Sequence, residues 1–242
     1  MKMLVTRPEP DASDTAARLE ALGISPLIAP LLTLEVLPAE LPDPATVAAI
    51  ALTSANALRA LEARGALERY RHVPVYTVGD RTADMAKDLG FEMVTSASGA
   101  FADLAELLAH ARIDGPIFYP SGREVSADLG RSLAQFGRQV LTVPVYAMNP
   151  PPELHPEVAE ALQQGGIGAA LFYSQRTAET FVRLAEGVLD RPQRAGLGVL
   201  CMSEAVAEPL VDAHFVRVGL AERPDEEAMM GLALSFARDH NP

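Results

Sequence analysis

Along most of the chain, short apolar runs alternate with stretches of helical periodicity, separated by turns rich in Gly, Ser, Thr or Pro. Residues 3–6 read as a buried strand. Asp11 to Ser13 can cap the helix that follows; its apolar stripe of Ala16, Leu19 and Leu22 stops at Gly23, and a strand resumes over 24–29. The same alternation predicts strands over 48–53, 75–78, 92–95, 117–119 and 140–143, with helices over 55–64, 82–89, 101–111 and 127–136. Towards the end it predicts strands over 169–173, 198–202 and 215–218, and helices over 178–189, 205–213 and 226–238. Strands alternating with helices in this way predict parallel sheets with helices on both faces.

The pattern also repeats. The segment IALTSANALRALEAR, starting at Ile50, echoes AALFYSQRTAETFVRL, starting at Ala169, so that Ser54 lies on Ser174, each between an apolar strand and a helix. A second echo links residues 1–30 to residues 116–146, both reading as strand, polar loop, amphipathic helix, Gly and strand. The expectation is an α/β protein of two similar lobes, each a parallel sheet flanked by helices. Helix N-termini lining a cleft between such lobes suit a ligand rich in anionic groups.

Two segments break the alternation. Residues 31–44, LLTLEVLPAELPDP, follow an extended run with three prolines, and residues 143–152, VPVYAMNPPP, end in three consecutive prolines that exclude helix. If the chain crosses between lobes at these points, residues 1–33 and 150–242 form one discontinuous domain and 38–142 the other, with connections at 31–40 and 143–151.

Composition narrows the function. With 20 basic and 32 acidic residues the formal net charge is −12, which disfavours nucleic acid or an anionic membrane as partner. The single cysteine, Cys201, makes no internal disulfide, and the five histidines are scattered without metal-ligand spacing, so no metal is expected and a reducing, cytoplasmic compartment is the natural reading. No apolar run approaches the roughly 20 residues that span a bilayer, and the N-terminus lacks the apolar stretch of a signal peptide.

Three loops share one construction, a strand entering a hydroxyl- or Gly-rich turn before a helix: Thr53-Ser54-Ala55-Asn56, Gly79-Asp80-Arg81-Thr82-Ala83 and Pro120-Ser121-Gly122-Arg123. Such loops gather at the carboxyl ends of parallel strands, where ligands bind, and expose unpaired amides to carboxylate or phosphate. Ser54, Thr82 and Ser121 can equally be ordinary helix caps; the three together, with Ser174 mirrored in the other lobe, favour a site. Tyr146, in the second apparent connection, could offer a phenol to a ligand or simply pack in a strand. Arg7, just after the first strand, could meet a ligand carboxylate or lie solvated. Asp11, Asp14 and Glu20 read as solvent-facing. Gly165 to Gly168 follow a helix and read as its stop, no Walker A lysine or strand-following G-x-G-x-x-G is present, and no G-x-S-x-G elbow supports a serine triad.

The pieces Thr6-Arg7-Pro8, LTSANAL at 52–58, VGDRTADM at 78–85, FYPSGRE at 118–124, the G-x-x-V…VY run from Gly137 to Tyr146 and LFYSQRTAETF at 171–181, in that order, resemble the uroporphyrinogen-III synthase family over nearly the whole chain. The resemblance implies two α/β lobes joined by a two-stranded connection, and closure of the linear tetrapyrrole hydroxymethylbilane to uroporphyrinogen III with loss of water and inversion of the last pyrrole ring. It implies no cofactor, and nothing suggests more than a monomer. Carried over by position, it implies substrate contacts at Thr53, Ser54, Ala55, Gly79, Thr82, Ala83, Ser121, Gly122, Ser174 and Gln175, with Tyr146 assisting departure of the hydroxyl. Where the family often has a G-x-x-T-A-like loop, this chain has Met202-Ser203-Glu204-Ala205-Val206, to which no binding role is assigned. Two other readings remain from the residues alone: a cytoplasmic two-lobed binding protein for an anionic small molecule, and a nucleotide-dependent transferase, which the missing phosphate loops oppose.

Overall fold

In the computed structural model, which describes residues 1–125 and 127–240, the chain divides into two compact units, Met1–Thr33 with Asn149–Pro242, and Leu34–Met148. The chain opens with β1 (Lys2–Val5), α1 (Asp11–Ala21) and β2 (Ser25–Ile28). The second unit follows as β3 (Thr33–Val36), a 3-10 turn at Pro44–Thr46, β4 (Ala49–Leu52), α2 (Ala55–Ala63), α3 (Leu67–Tyr70), β5 (Val75–Thr77), α4 (Asp80–Asp88), β6 (Val94–Ser96), α5 (Phe101–His110), β7 (Ile117–Gly122), α6 (Leu129–Ala134) and β8 (Val140–Asn149). The chain then completes the first unit with α7 (Pro156–Gln163), β9 (Ala169–Phe172), α8 (Gln175–Ala185), α9 (Arg191–Gly196), β10 (Gly198–Cys201), α10 (Glu204–Asp212), β11 (Arg217–Leu220) and α11 (Glu226–Asp239).

The first unit's sheet has the order β11-β10-β9-β1-β2, the second's β6-β5-β4-β7-β8-β3. Apart from the extra edge strand β3, these are one arrangement entered at different points: β1 and β2 come first in their unit, whereas the spatially equivalent β7 and β8 come last. This permutation generates both sequence echoes. The registers agree, since Met3 lies opposite Ala169 and Ile117 opposite Ala49, in parallel pairings.

The central strands β4 (AIAL) and β9 (AALF) are buried throughout, as befits strands covered on both faces. Their alternation assigns each sheet two cores. Ile50 and Leu52 pack with Leu58, Leu61 and Tyr70 on one side, while Ala49 and Ala51 meet Leu104, Leu108 and Leu133 on the other. In the first unit Ala170 and Phe172 pack with Phe181 and Phe215, and Ala169 and Leu171 with Met3, Leu19 and Met229. Helix α8 serves this core because Thr177, Ala178, Phe181, Leu184 and Ala185 fall on one face.

Several expectations need correction. The stretch Pro120-Ser121-Gly122 is not a turn: β7 continues through it, with Pro120 opposite Val143, Ser121 opposite Pro144 and Gly122 opposite Tyr146. Pairing with β4 is confined to Ile117 and Phe118, so the missing amide of Pro120 breaks no bond on that side. The helix that follows is correspondingly short and is capped by Asp128, which accepts from the Arg131 amide. Strand β8 runs on through Pro144 to Asn149. The last strand begins at Arg217 rather than 215, because Phe215 is drawn into the core beside Phe181. Helix α1 starts after Pro10 without a side-chain cap, and the Ser13 hydroxyl donates instead to Glu9. Helices α3, α7 and α9 are additions that the residue pattern does not predict.

Candidate active site

In an open parallel sheet the ligand crevice lies where neighbouring strands lead off in opposite directions, here between β4 and β7 in one unit and between β9 and β1 in the other. In the Leu34–Met148 unit this place holds a cavity of about 240 Å³, whose lining includes Thr53, Val78, Phe101, Tyr119, Gly122 and Tyr146. Thr53 Oγ1 and Tyr119 Oη share a hydrogen bond of 3.1 Å across the gap between the two strands. The half-buried Tyr146 ring lies on Gly122, where a Cβ would come within 3.1 Å of the ring's Cζ. A methyl at 122 would require the ring, or the Glu124 carbonyl oxygen at 3.2 Å, to give by a few tenths of an ångström. Ser121 is buried, and its Oγ has no hydrogen-bond partner among the described residues.

Beside this cavity, Ser54 caps α2 by accepting from the Asn56 amide at 3.2 Å. The first turn of α2 contains no acidic residue, so its positive end is unopposed. Helix α4 begins after Gly79, with the Thr82 and Ala83 side chains turned into the protein; the Ala83 amide donates to the Gly79 carbonyl at 3.2 Å, so of these two it is Thr82 whose backbone can face a ligand. Its first residue, Asp80, is acidic, but Oδ1 accepts from Ser98 Oγ at 2.7 Å. Hydrogen bonds from Ser96 and Ser98 hold this carboxyl below the usual carboxylate range.

The corresponding place in the other unit is filled. Arg7 is 7% exposed; it donates to Glu226 at 2.6 Å, to Asp11 at 3.3 Å and to Thr15 at 3.0 Å, and lies 4.0 Å over the Tyr173 ring. The Tyr173 phenol also donates to Glu226, at 3.0 Å. Burial, and after it the Glu226 charge, raises the pKa of this tyrosine far above its ordinary value. Arg7 is therefore neither a solvated loop arginine nor unengaged: its charge is committed within its own unit. Nearby, Ser174 caps α8 by accepting from the Thr177 amide at 3.2 Å; α8, like α2, has no acidic residue in its first turn, and Gln175 is exposed there. Cys201 is buried on β10, which pushes its thiol up to about 12 and keeps it protonated. A larger groove, of about 520 Å³, lies between residues 27–31 and 151–158 and contains none of the hydroxyl-bearing loops.

A family model described as Uroporphyrinogen-III synthase HemD matches residues 13–231. The chain belongs to the uroporphyrinogen-III synthase family. It is accordingly a cyclising lyase of haem biosynthesis, closing a linear tetrapyrrole to uroporphyrinogen III with loss of water, and a binding role without chemistry is not favoured. Among solved structures the chain is similar to uroporphyrinogen-III synthetase from Helicobacter pylori 26695, at 21% identity and TM-score 0.67, over 97% of this chain and 99% of that one. It is also similar to a mutant uroporphyrinogen III synthase from the extremely thermophilic bacterium Thermus thermophilus, at 19% identity and TM-score 0.60, over 98% of each chain. These likenesses bear on the fold, which they share. No curated protein matches by sequence. Among the described residues no helix is long and apolar enough to cross a membrane.

Of the residues singled out from the sequence, Thr53, Gly122 and Tyr146 meet at one cavity. Ser54 and Ala55 adjoin it at the start of α2, and Gly79 follows the cavity residue Val78. Tyr119 was missed. Its signal is an aromatic hydroxyl two residues before Ser121 in the FYPSGRE piece; the ring packs in the core of the unit and still lines the cavity.

Proposed function

We propose that the crevice of the Leu34–Met148 unit is where the bilane loses its hydroxyl, with Tyr146 as the catalytic residue. The phenol donates a hydrogen bond to the departing hydroxyl, which leaves as water and gives an azafulvene-type cation. The last ring attacks through its substituted carbon; the spiro intermediate fragments and recloses, and the proton released on closure balances the one taken up by the leaving group. The observation that carries this reading is the meeting of Tyr146, Thr53 and Gly122 around one cavity.

The substrate in this reading is a polycarboxylate. The amides at the starts of α2 and α4 (Thr53, Ser54, Ala55, Gly79 and Thr82) hold its acetate and propionate groups, and the Ser121 hydroxyl adds a donor; Ala83, whose amide is bonded to Gly79, packs beneath them. In the other unit the start of α8 (Ser174 and Gln175) offers carboxylate-binding amides of the same kind. Helix dipoles act over about one turn, so local amide binding is compatible with a net charge of −12. Arg7 has no part in substrate binding, and Gly122 serves as the floor for the Tyr146 ring. Because bilane closes unaided to the symmetric isomer, holding one folded conformation and stabilising a transient cation contribute more than activating a nucleophile. The enzyme acts as a monomer and in the cytoplasm; the lone buried cysteine supports the second part of this reading, a reducing compartment.

The test supplies hydroxymethylbilane and separates the cyclic isomers formed. Tyr146→Phe is expected to lower the rate of uroporphyrinogen III formation about a hundredfold with an unchanged thermal midpoint. Undiminished turnover in this variant removes Tyr146 from the mechanism.

A further inference from the structure

The Tyr119 ring belongs to the core of its unit, packed with Ala49, Ala51, Leu104, Leu108 and Leu133, and the residue is 3% exposed. Such a ring has essentially one orientation available. Its hydroxyl is the exception to this apolar setting: it reaches the cavity that Tyr146 lines and is hydrogen-bonded to Thr53 Oγ1. Thr53 lies on the short connection between β4 and the Ser54 cap of α2, and is itself only half-buried. A threonine hydroxyl at such a place can populate more than one rotamer, and a fixed partner selects one.

We infer that Tyr119 is a positioning residue for the reaction: its phenol, immobilised by the core, fixes the Thr53 hydroxyl and with it the loop that leads into α2. This rests on the proposed contact between that loop and the substrate. Tyr119 acts through Thr53, whereas Tyr146, on the neighbouring strand β8, acts on the leaving group. The first change should therefore appear in substrate binding and the second in turnover.

The experiment is a double-mutant cycle on the full-length protein with Thr53→Val and Tyr119→Phe, reading KM, kcat, the ratio of uroporphyrinogen III to the symmetric isomer, and thermal midpoint. Each single variant is expected to raise KM about fivefold, the loss of one ordinary hydrogen bond, with kcat held within about twofold and a larger share of symmetric product. Because both remove the same interaction, the double variant should be no more than about twofold worse than either single one. Thr53→Ser, which keeps the hydroxyl, should restore KM. If Tyr119→Phe leaves KM unchanged while Thr53→Val raises it, or changes only the thermal midpoint, Tyr119 has no positioning role and the inference fails while the proposed loop contact stands. If the effects on KM multiply in the double variant, the two residues act independently and the inference also fails. Should Thr53→Val itself leave KM unchanged, the loop does not meet substrate, and the contact and the inference fall together.

Discussion

The two units build the same crevice and treat it oppositely. Taking Met3 opposite Ala169 as equivalent to Ile117 opposite Ala49, Arg7 corresponds to Ser121 and Tyr173 to Thr53. Glu226 and Phe101 each open the helix that follows an edge strand of their sheet, β11 and β6. One set forms an internal ion pair with a phenol and a carboxylate; the other leaves a cavity containing hydroxyls and the Tyr146 ring. A shared topology therefore supplies a place for chemistry, and a few side chains at its mouth determine whether that place is occupied by the protein itself or offered to a ligand.

The comparison breaks most visibly at Arg7. Arg7→Met leaves Glu226 without its closest cation and is expected to cost about 3 kcal/mol of stability, read by urea denaturation, with KM of the folded enzyme unchanged. A raised KM at unaltered stability would instead make Arg7 a substrate ligand and the two crevices alike.

Gly122→Ala probes the open crevice. The backbone there is not left-handed, so the new methyl meets no torsional strain of its own; it crowds the Tyr146 ring at 3.1 Å and the Glu124 carbonyl oxygen at 3.2 Å. The expected result is a fall in kcat of about tenfold, on the order of 1.4 kcal/mol, with the fold preserved. An unchanged kcat would show that the ring need not lie where it does.

A smaller effect is expected at Ser121, the counterpart of Arg7. Removing an unpartnered hydroxyl should leave stability within about 0.5 kcal/mol, while loss of a donor to substrate should raise KM about fivefold. A clear loss of stability in Ser121→Ala would mark the hydroxyl as structural.

The mildest change concerns pH. Tyr173 has a pKa raised above its ordinary 10.0, so the folded state keeps a proton that the unfolded chain gives up. Its contribution to stability is complete below about pH 10 and is lost as pH rises above that value towards the folded-state pKa. Tyr173→Phe should flatten the decline in unfolding free energy above pH 10; an unaltered slope would mean that another group is responsible.

Much of this architecture was present in the order of residues. The apolar runs AIAL and AALF, the hydroxyl caps Ser54 and Ser174, and the glycine stops at Gly23 and Gly137 specify short strands and helices by local chemistry, and the structure contains them. Local chemistry also misled at Pro120-Ser121-Gly122. These residues favour turns in isolation, yet here they extend a strand because β8 supplies partners from more than twenty positions away.

The sequence by itself determined the strand-helix alternation, the two echoes and the helix starts with their free amides, because each depends on neighbours within a turn or two of chain. The tertiary structure alone decided the permuted strand order, the pairing of Arg7 with Glu226 and the meeting of Thr53, Tyr119, Gly122 and Tyr146. Those outcomes depend on which distant strands come to lie side by side, and no local preference encodes a side chain's partner across a sheet.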